Sequence, residues 1–407
     1  MSRIEYFQEL IQEKRKKTPF RDFLKELGSW EILNLYKRDG KISRYPESDR
    51  IKVLDDKEYR NASSYIQEYN TWKSFFENFQ SLIDIFPFEY IFHFDNNENS
   101  EFADAVFGAK NTYLSFIIGF QSENVAYSAL CYNNIHNIYN SFLACTHCSN
   151  IYRSWGINES HNVFYSRFIA NSSNIWFSTN LVGCHECIGC DSLENQKYMI
   201  GNISYSQEEY GKKKEEILRD KKSFENIFQH ISEKKWRNLA SVNVKGDFIM
   251  KSSNIENGSW VVNIHDSRNV VIANGDNGSR HFYDWFDVGM NSEHFYWVMW
   301  AWWLPIGASH LYCSMQITSS TFIYYSQYIE NCHHCLGCIW LKNLSYCILN
   351  KQYTKEEWEL LALKIFTSME KDGSLGNFFP ASMNPFYFND TAAYLMDDSF
   401  TREKIML

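Results

Sequence analysis

The segment Gly183-Cys-His-Glu-Cys-Ile-Gly-Cys190 recurs 148 residues later as Asn331-Cys-His-His-Cys-Leu-Gly-Cys338, and this duplication limits the possible folds more than any other feature. The match continues in the same register on both sides. Downstream, Leu193, Asn195, Tyr198, Ile200, Asn202 and Tyr205 return as Leu341, Asn343, Tyr346, Ile348, Asn350 and Tyr353. Upstream, Ser172, Ile175 and Ser178 return as Ser320, Ile323 and Ser326. Chance does not give so many coincidences at one offset, so the chain holds two copies of one module.

A shorter period runs inside the first copy. Apolar Ile151, Val163, Ile175 and Cys187 are spaced by 12, after Val125, Ile138 and Ile151 spaced by 13. Three residues after these positions come Ser128, Ser141, Ser154, Ser166, Ser178 and Cys190. The half-period shows in Ile157, Ile169 and Leu181, followed by Ser160, Ser172 and Cys184, so the underlying unit is about six residues. The second copy repeats the scheme less regularly with Val270, Phe282, Phe295, Leu311, Ile323 and Cys335, and the wider gap before Leu311 predicts a loop.

A six-residue alternation of apolar and small positions is too short for helices but suits short strands between tight corners. Stacked coils of such strands lie about 4.8 Å apart. The expected fold is therefore mainly β: an internally duplicated β-solenoid, β-helix-like, with rungs of about 12 residues, capping helices and an α-rich N-terminal region. The expected boundaries are a mixed, partly helical region over 1–118, a first solenoid module over 119–203, a helical connection over 204–245, a second module over 246–353, and a helix and tail over 354–407.

Each module is followed by a capping-box signature, Ser206 with Glu209 and Thr354 with Glu357, which predicts a helix closing an otherwise open strand edge. Near the N-terminus, Trp72, Phe75, Phe76, Phe79, Leu82 and Ile83 form one apolar stripe at helical spacing, expected to face a core.

Charge disfavours nucleic acid as a partner, because the net balance is −9 and the one dense basic run, Lys14 to Lys17, reads as a solvated helix face. The first residues are too charged for a secretory leader, and the aromatic run from Phe295 to Ile306 is too short for a membrane span. With 11 cysteines and no such leader, the expectation is a cytoplasmic protein with reduced thiols.

Three constellations invite chemical readings. The first is the pair of cysteine triplets, Cys184, Cys187, Cys190 and Cys332, Cys335, Cys338, whose Cys-x-x-Cys spacing suits zinc or iron. They also continue the serine and isoleucine phases of the repeat, so the structural reading, with no cofactor, is preferred. The same phasing predicts that neighbouring triplet members face different solenoid surfaces.

The second lies one residue before each rung. Asn124, Asn137, Asn150, Asn162 and Asn174 are spaced to form a hydrogen-bonded ladder, whereas the second copy carries Asn269, His281, His294, His310, Phe322 and His334 in that phase. The histidines read either as corner residues packed on aromatics or as a ligand-binding group.

The third is a set of acids in the second copy, Asp266, Asp276, Asp284, Asp287 and Glu293, where the first copy has only Glu159 between 124 and 185. An active site of a carbohydrate-active lyase or hydrolase would draw on Asp284 and Asp287 with His281, His294 or His310. The preferred reading is a scaffold or binding module that offers a long, aromatic-rich solenoid face to a protein or carbohydrate partner. A carbohydrate-active enzyme and a metal-binding protein are the alternatives.

The stretch from Cys338-Ile-Trp-Leu-Lys-Asn343 through Tyr346-Cys-Ile-Leu-Asn-Lys-Gln-Tyr-Thr-Lys-Glu-Glu357, with Asn377-Phe-Phe-Pro380 and Pro385-Phe386 to Asn389-Asp-Thr391, resembles a family of uncharacterised proteins from candidate-phyla bacteria of the Patescibacteria group. The resemblance covers about 70–395 and implies no activity. Many members resemble one another in an N-terminal zinc ribbon, which this chain lacks, since its first cysteine is Cys131. The family motif has glycine where this chain has Trp340. With glycine at only 18 of 407 residues, this suggests that Trp300, Trp302, Trp303 and Trp340 are UGA codons read as glycine in the source organism.

Overall fold

A computed structural model describes residues 3–17, 35–47, 51–54, 64–91, 96–220, 242–250, 253–262, 265–274, 282–288, 296–301 and 309–383. It is a mainly β protein in which two solenoids carry the repeat. Among the described residues four α-helices accompany them: α1 (Arg3–Lys17), α2 (Phe75–Ile85), α3 (Gln207–Arg219) and α4 (Lys355–Lys371). The chain divides into two units, one of Leu33–Arg44 and Ile91–Trp236, the other of Met1–Ile32, Tyr45–Tyr90 and Arg237–Leu407.

In the first solenoid every third residue from Asn150 to Tyr198 has a φ between +44° and +70°. A left-handed residue turns the chain sharply, so four such corners close one coil of 12 residues. Asparagine, which visits this region at little cost, fills many corners, including Asn150, Asn162, Asn171, Asn174 and Asn180. Each coil carries two four-residue strands that pair in parallel with the coils before and after. Val163 of His161–Phe164 lies opposite Ile151 and Ile175, and Ile157 of Trp155–Asn158 lies opposite Ala144 and Ile169. The register therefore advances by 12 residues per coil here, and by 13 in the earlier coils that pair Val125 with Ile138 and Ile138 with Ile151.

The residue after each corner points into the bore. Ile151, Ser154, Ile157 and Ser160 are buried together, and the next coil repeats them as Val163, Ser166, Ile169 and Ser172. Each fully buried branched side chain contributes about 1.5–3 kcal/mol. The serines have a different task. Ser154 Oγ donates to the Tyr152 carbonyl at 2.9 Å and accepts the Ser166 N–H at 3.1 Å, and the unit repeats down the coils, satisfying corner amides that no strand reaches.

Both solenoids leave the repeat in the same way. Met199 pairs antiparallel with Ser204 and Cys347 with Gln352, after which Ser206 and Thr354 each cap a helix with a complete capping box. Tyr210 on α3 and Trp358 on α4 are buried at the solenoid ends. In the second solenoid parallel pairing runs from Val242–Met250 to Ser345–Ile348, and the strands Tyr296–Ala301 and Ser309–Thr318 flank the gap expected before Leu311.

Two expectations about helices are corrected. Ser74 caps α2, so Trp72 precedes the helix in a turn and is 95% exposed, while Phe75, Phe79, Leu82 and Ile83 are buried. The apolar stripe thus crosses the helix boundary at Ser74. The basic run on α1 is not merely solvated: Lys14 Nζ binds the carbonyls of Gly373 and Leu375 at 2.8 and 2.9 Å, and buried Arg15 binds that of Gly376 at 3.3 Å. These cations serve the turn that follows α4.

Candidate interaction surface

The six triplet cysteines are buried free thiols. Cys184, Cys187 and Cys190 occupy three successive inward positions of one coil, so they lie on three of its sides yet all face the bore, not different surfaces. Cys332, Cys335 and Cys338 do the same in the second solenoid. The amides of Cys184 and Cys190 bind Ser172 Oγ and Ser178 Oγ, both at 3.0 Å, which places these thiols in the serine ladder. Hydrogen bonding with Cys187 pulls Cys184 down to about 7 and lowers Cys190, while Cys187 itself is raised well above the ordinary thiol range. Among the described residues no group of three or more His, Cys, Asp or Glu side chains is arranged to hold a metal ion.

The asparagine ladder is present and longer than the sequence indicates. Asn99 Nδ2 donates to Asn111 Oδ1 at 3.0 Å, and the relay continues through Asn124, Asn137, Asn150 and Asn162 to Asn174 with steps of 2.8–3.1 Å. Asn174 then donates to Glu186 Oε1 at 2.8 Å, and Lys214 of α3 binds Glu186 Oε2 at 2.7 Å. The cap helix thus anchors the acceptor end of the relay.

In the second solenoid the same column is a ring stack. His310, Phe322, His334 and Tyr346 follow one another at 4.6, 4.7 and 5.0 Å, with Trp358 edge-on to His334. Phe322 separates His310 from His334, and burial pulls His334 down to about 4, which keeps it neutral. These two histidines are packing residues in aromatic company. Asp284 and Asp287 lie on the strand Phe282–Val288, whereas His281 and His294 fall outside the described residues.

The first solenoid presents a row of aromatic residues to solvent. Phe102, Tyr113, Tyr127 and Tyr139 are exposed by 50, 45, 59 and 42%. Phe102 meets Tyr113 and Tyr113 meets Tyr127 edge to face at 6.0 and 5.7 Å, and Tyr152 meets Tyr165 in the same manner at 5.4 Å. The Arg153 guanidinium lies over the Tyr152 and Tyr165 rings at 5.7 and 5.9 Å. An edge-to-face pair covers a face of only one of its rings, whereas further along the coils Phe164 stacks flat on Trp176 and Tyr165 on Phe177, which covers a face of both. The ridge is therefore open towards its N-terminal coils.

The sequence predicts a binding face on the solenoid without saying which aromatic residues form it, because aromatics make up 17% of the chain and are spread through helices and coils alike. The triplet frame sorts them: Tyr127 and Tyr165 are corners and Tyr139 and Tyr152 precede corners, while inward positions come after. No helix among the described residues is long and apolar enough to cross a membrane. The chain matches no protein-family model, no curated protein and no solved structure.

Proposed function

We propose that this chain is a binding module, a scaffold that holds a macromolecular partner on the aromatic ridge of its first solenoid. The observation that carries this reading is the exposure of Phe102, Tyr113, Tyr127 and Tyr139 on successive hydrogen-bonded coils. Four large rings held open to water lose solvent contact favourably when covered, and tyrosine and arginine are the residues that most often anchor protein interfaces. Coil pairing fixes the ridge in advance, which lowers the ordering cost of binding.

The chemistry-bearing side chains give this reading further support. The triplet thiols fill the bores, and His310 and His334 are stacked with rings. Their unbridged state suits a reducing, cytoplasmic setting. The test is a pair of full-length variants. Tyr127→Glu with Tyr139→Glu should abolish partner retention without changing the far-ultraviolet spectrum or melting midpoint, whereas Asp284→Asn with Asp287→Asn should leave retention intact. Catalytic turnover of a glycan that depends on Asp284 or Asp287 would replace this reading with an enzymatic one.

A further inference from the structure

The two solenoids differ at one inward position beneath their caps. In the first, Cys187 is the register partner of Met199 on the next coil. In the second, Cys335 is the register partner of Cys347, and both are fully buried free thiols. Parallel neighbours in register stand about 4.8 Å apart, inside the range of about 4.4–6.8 Å that a disulfide requires between Cα atoms. Both side chains enter the same bore from the same side, as register partners on adjacent coils.

We infer that Cys335 and Cys347 form an oxidisable pair, a modification site that can staple the last two coils of the second solenoid. The step is a thiol–disulfide exchange with a low-molecular-weight disulfide. The two S–H bonds break, one Cys335–Cys347 S–S bond forms, and two electrons and two protons reduce the small disulfide to two thiols.

Access is gated by the cap. Trp358 Nε1 donates to the Cys347 carbonyl at 3.1 Å, and the Trp358 ring lies against His334 and Tyr346 of the same two coils. The reagent reaches the thiols only when α4 lifts from the terminal coil. Once formed, the bond holds together the two coils whose edge the lifted cap exposes. Cys332 and Cys338 occupy the inward positions on either side of Cys335 in its own coil, so the competing pairs lie within one coil, whereas the inferred bond joins two.

The experiment uses full-length reduced protein incubated with bis(2-hydroxyethyl) disulfide, quenched in acid, alkylated in denaturant and mapped by mass spectrometry. The expected result is a peptide linked through Cys335 and Cys347, two fewer alkylated thiols and a melting midpoint raised by several degrees. Cys347→Met, which copies the first solenoid, should fold, give no link and show no midpoint shift. A link to Cys332 or Cys338 instead, the same loss of thiols in Cys347→Met, or full retention of titratable thiols after prolonged incubation would overturn the inference.

Discussion

Tyr210 and Trp358 stand 148 residues apart in sequence, and each is the buried aromatic four residues past the N-cap of a helix that closes a solenoid. The duplication therefore extends beyond the coils into the caps. The two caps are unequal, because α3 buries Tyr210 alone whereas α4 buries Trp358, Ala362, Ile365, Phe366 and Met369. Trp358→Ala should cost about 3–5 kcal/mol, the usual loss for a core aromatic. Tyr210→Ala should cost less, and should show mainly as faster amide exchange in the coils around Glu186 and Tyr198. Urea denaturation with hydrogen exchange measures both, and equal global losses would contradict the unequal caps.

The asparagine ladder and the corner geometry can be separated at Asn162, which accepts from Asn150, donates to Asn174 and has a φ of +55°. Asn162→Gly keeps the corner and removes two hydrogen bonds of about 0.5–1.5 kcal/mol each. Asn162→Val removes the same bonds and adds about 1–2 kcal/mol for a side chain forced into the left-handed region. Valine should thus be the worse substitution, although it has the higher strand propensity. Chemical denaturation of the two variants gives the order, and a less damaging valine would exclude the left-handed corner.

The triplet thiols carry opposite predictions at neighbouring positions. Cys184→Ser and Cys190→Ser should be close to neutral, since both continue the column of Ser172 and Ser178. Cys187→Ser should cost about 1–3 kcal/mol, because it puts a hydroxyl in the column of Ile175 and Met199. Elemental analysis of protein purified without a metal-affinity tag provides the complementary check. Stoichiometric zinc or iron lost in all three variants would overturn the structural reading of these thiols.

His334 gives a pH dependence of definite sign. Its folded value is depressed to about 4 by burial, so between about pH 4 and its ordinary value of about 6.5 the unfolded chain binds the extra proton. The stability due to the neutral ring is fully present above pH 6.5 and is lost as pH falls towards 4. His334→Phe, which matches its stack neighbour Phe322, should flatten this limb of the stability profile relative to the parent. An unchanged slope between pH 6.5 and 4 would show that His334 is not buried neutral.

The parts of the fold legible in the sequence were those written as repeats: the coil period, the serine column, five ladder asparagines and both capping boxes. Asn99 and Asn111 belong to the same ladder, but they lie ahead of the apolar positions that revealed the period. The left-handed corners were hidden because glycine is not their marker here; Tyr165, Phe168 and Phe177 occupy corners with φ of +52°, +57° and +46°. Trp340 is one more such corner, with φ +55° and its ring stacked on Tyr328 at 4.4 Å. Its conformation suits a glycine, but its register mates show that the coil also accepts large residues there. Trp300 lies on the strand Tyr296–Ala301, and Trp302 and Trp303 fall outside the described residues. The exposed ridge was illegible for a related reason: the sequence shows which residues repeat, while the direction in which they point follows from the triplet frame.

The most direct measurement is quantitative retention of cellular material on immobilised full-length chain, comparing the parent with Tyr127→Glu/Tyr139→Glu and Asp284→Asn/Asp287→Asn, followed by binding of the purified component to each. If the ridge is the working surface, one component binds the parent and the aspartate variant alike, and the tyrosine variant at least tenfold more weakly. Equal binding to all three, with each variant folded, would contradict it.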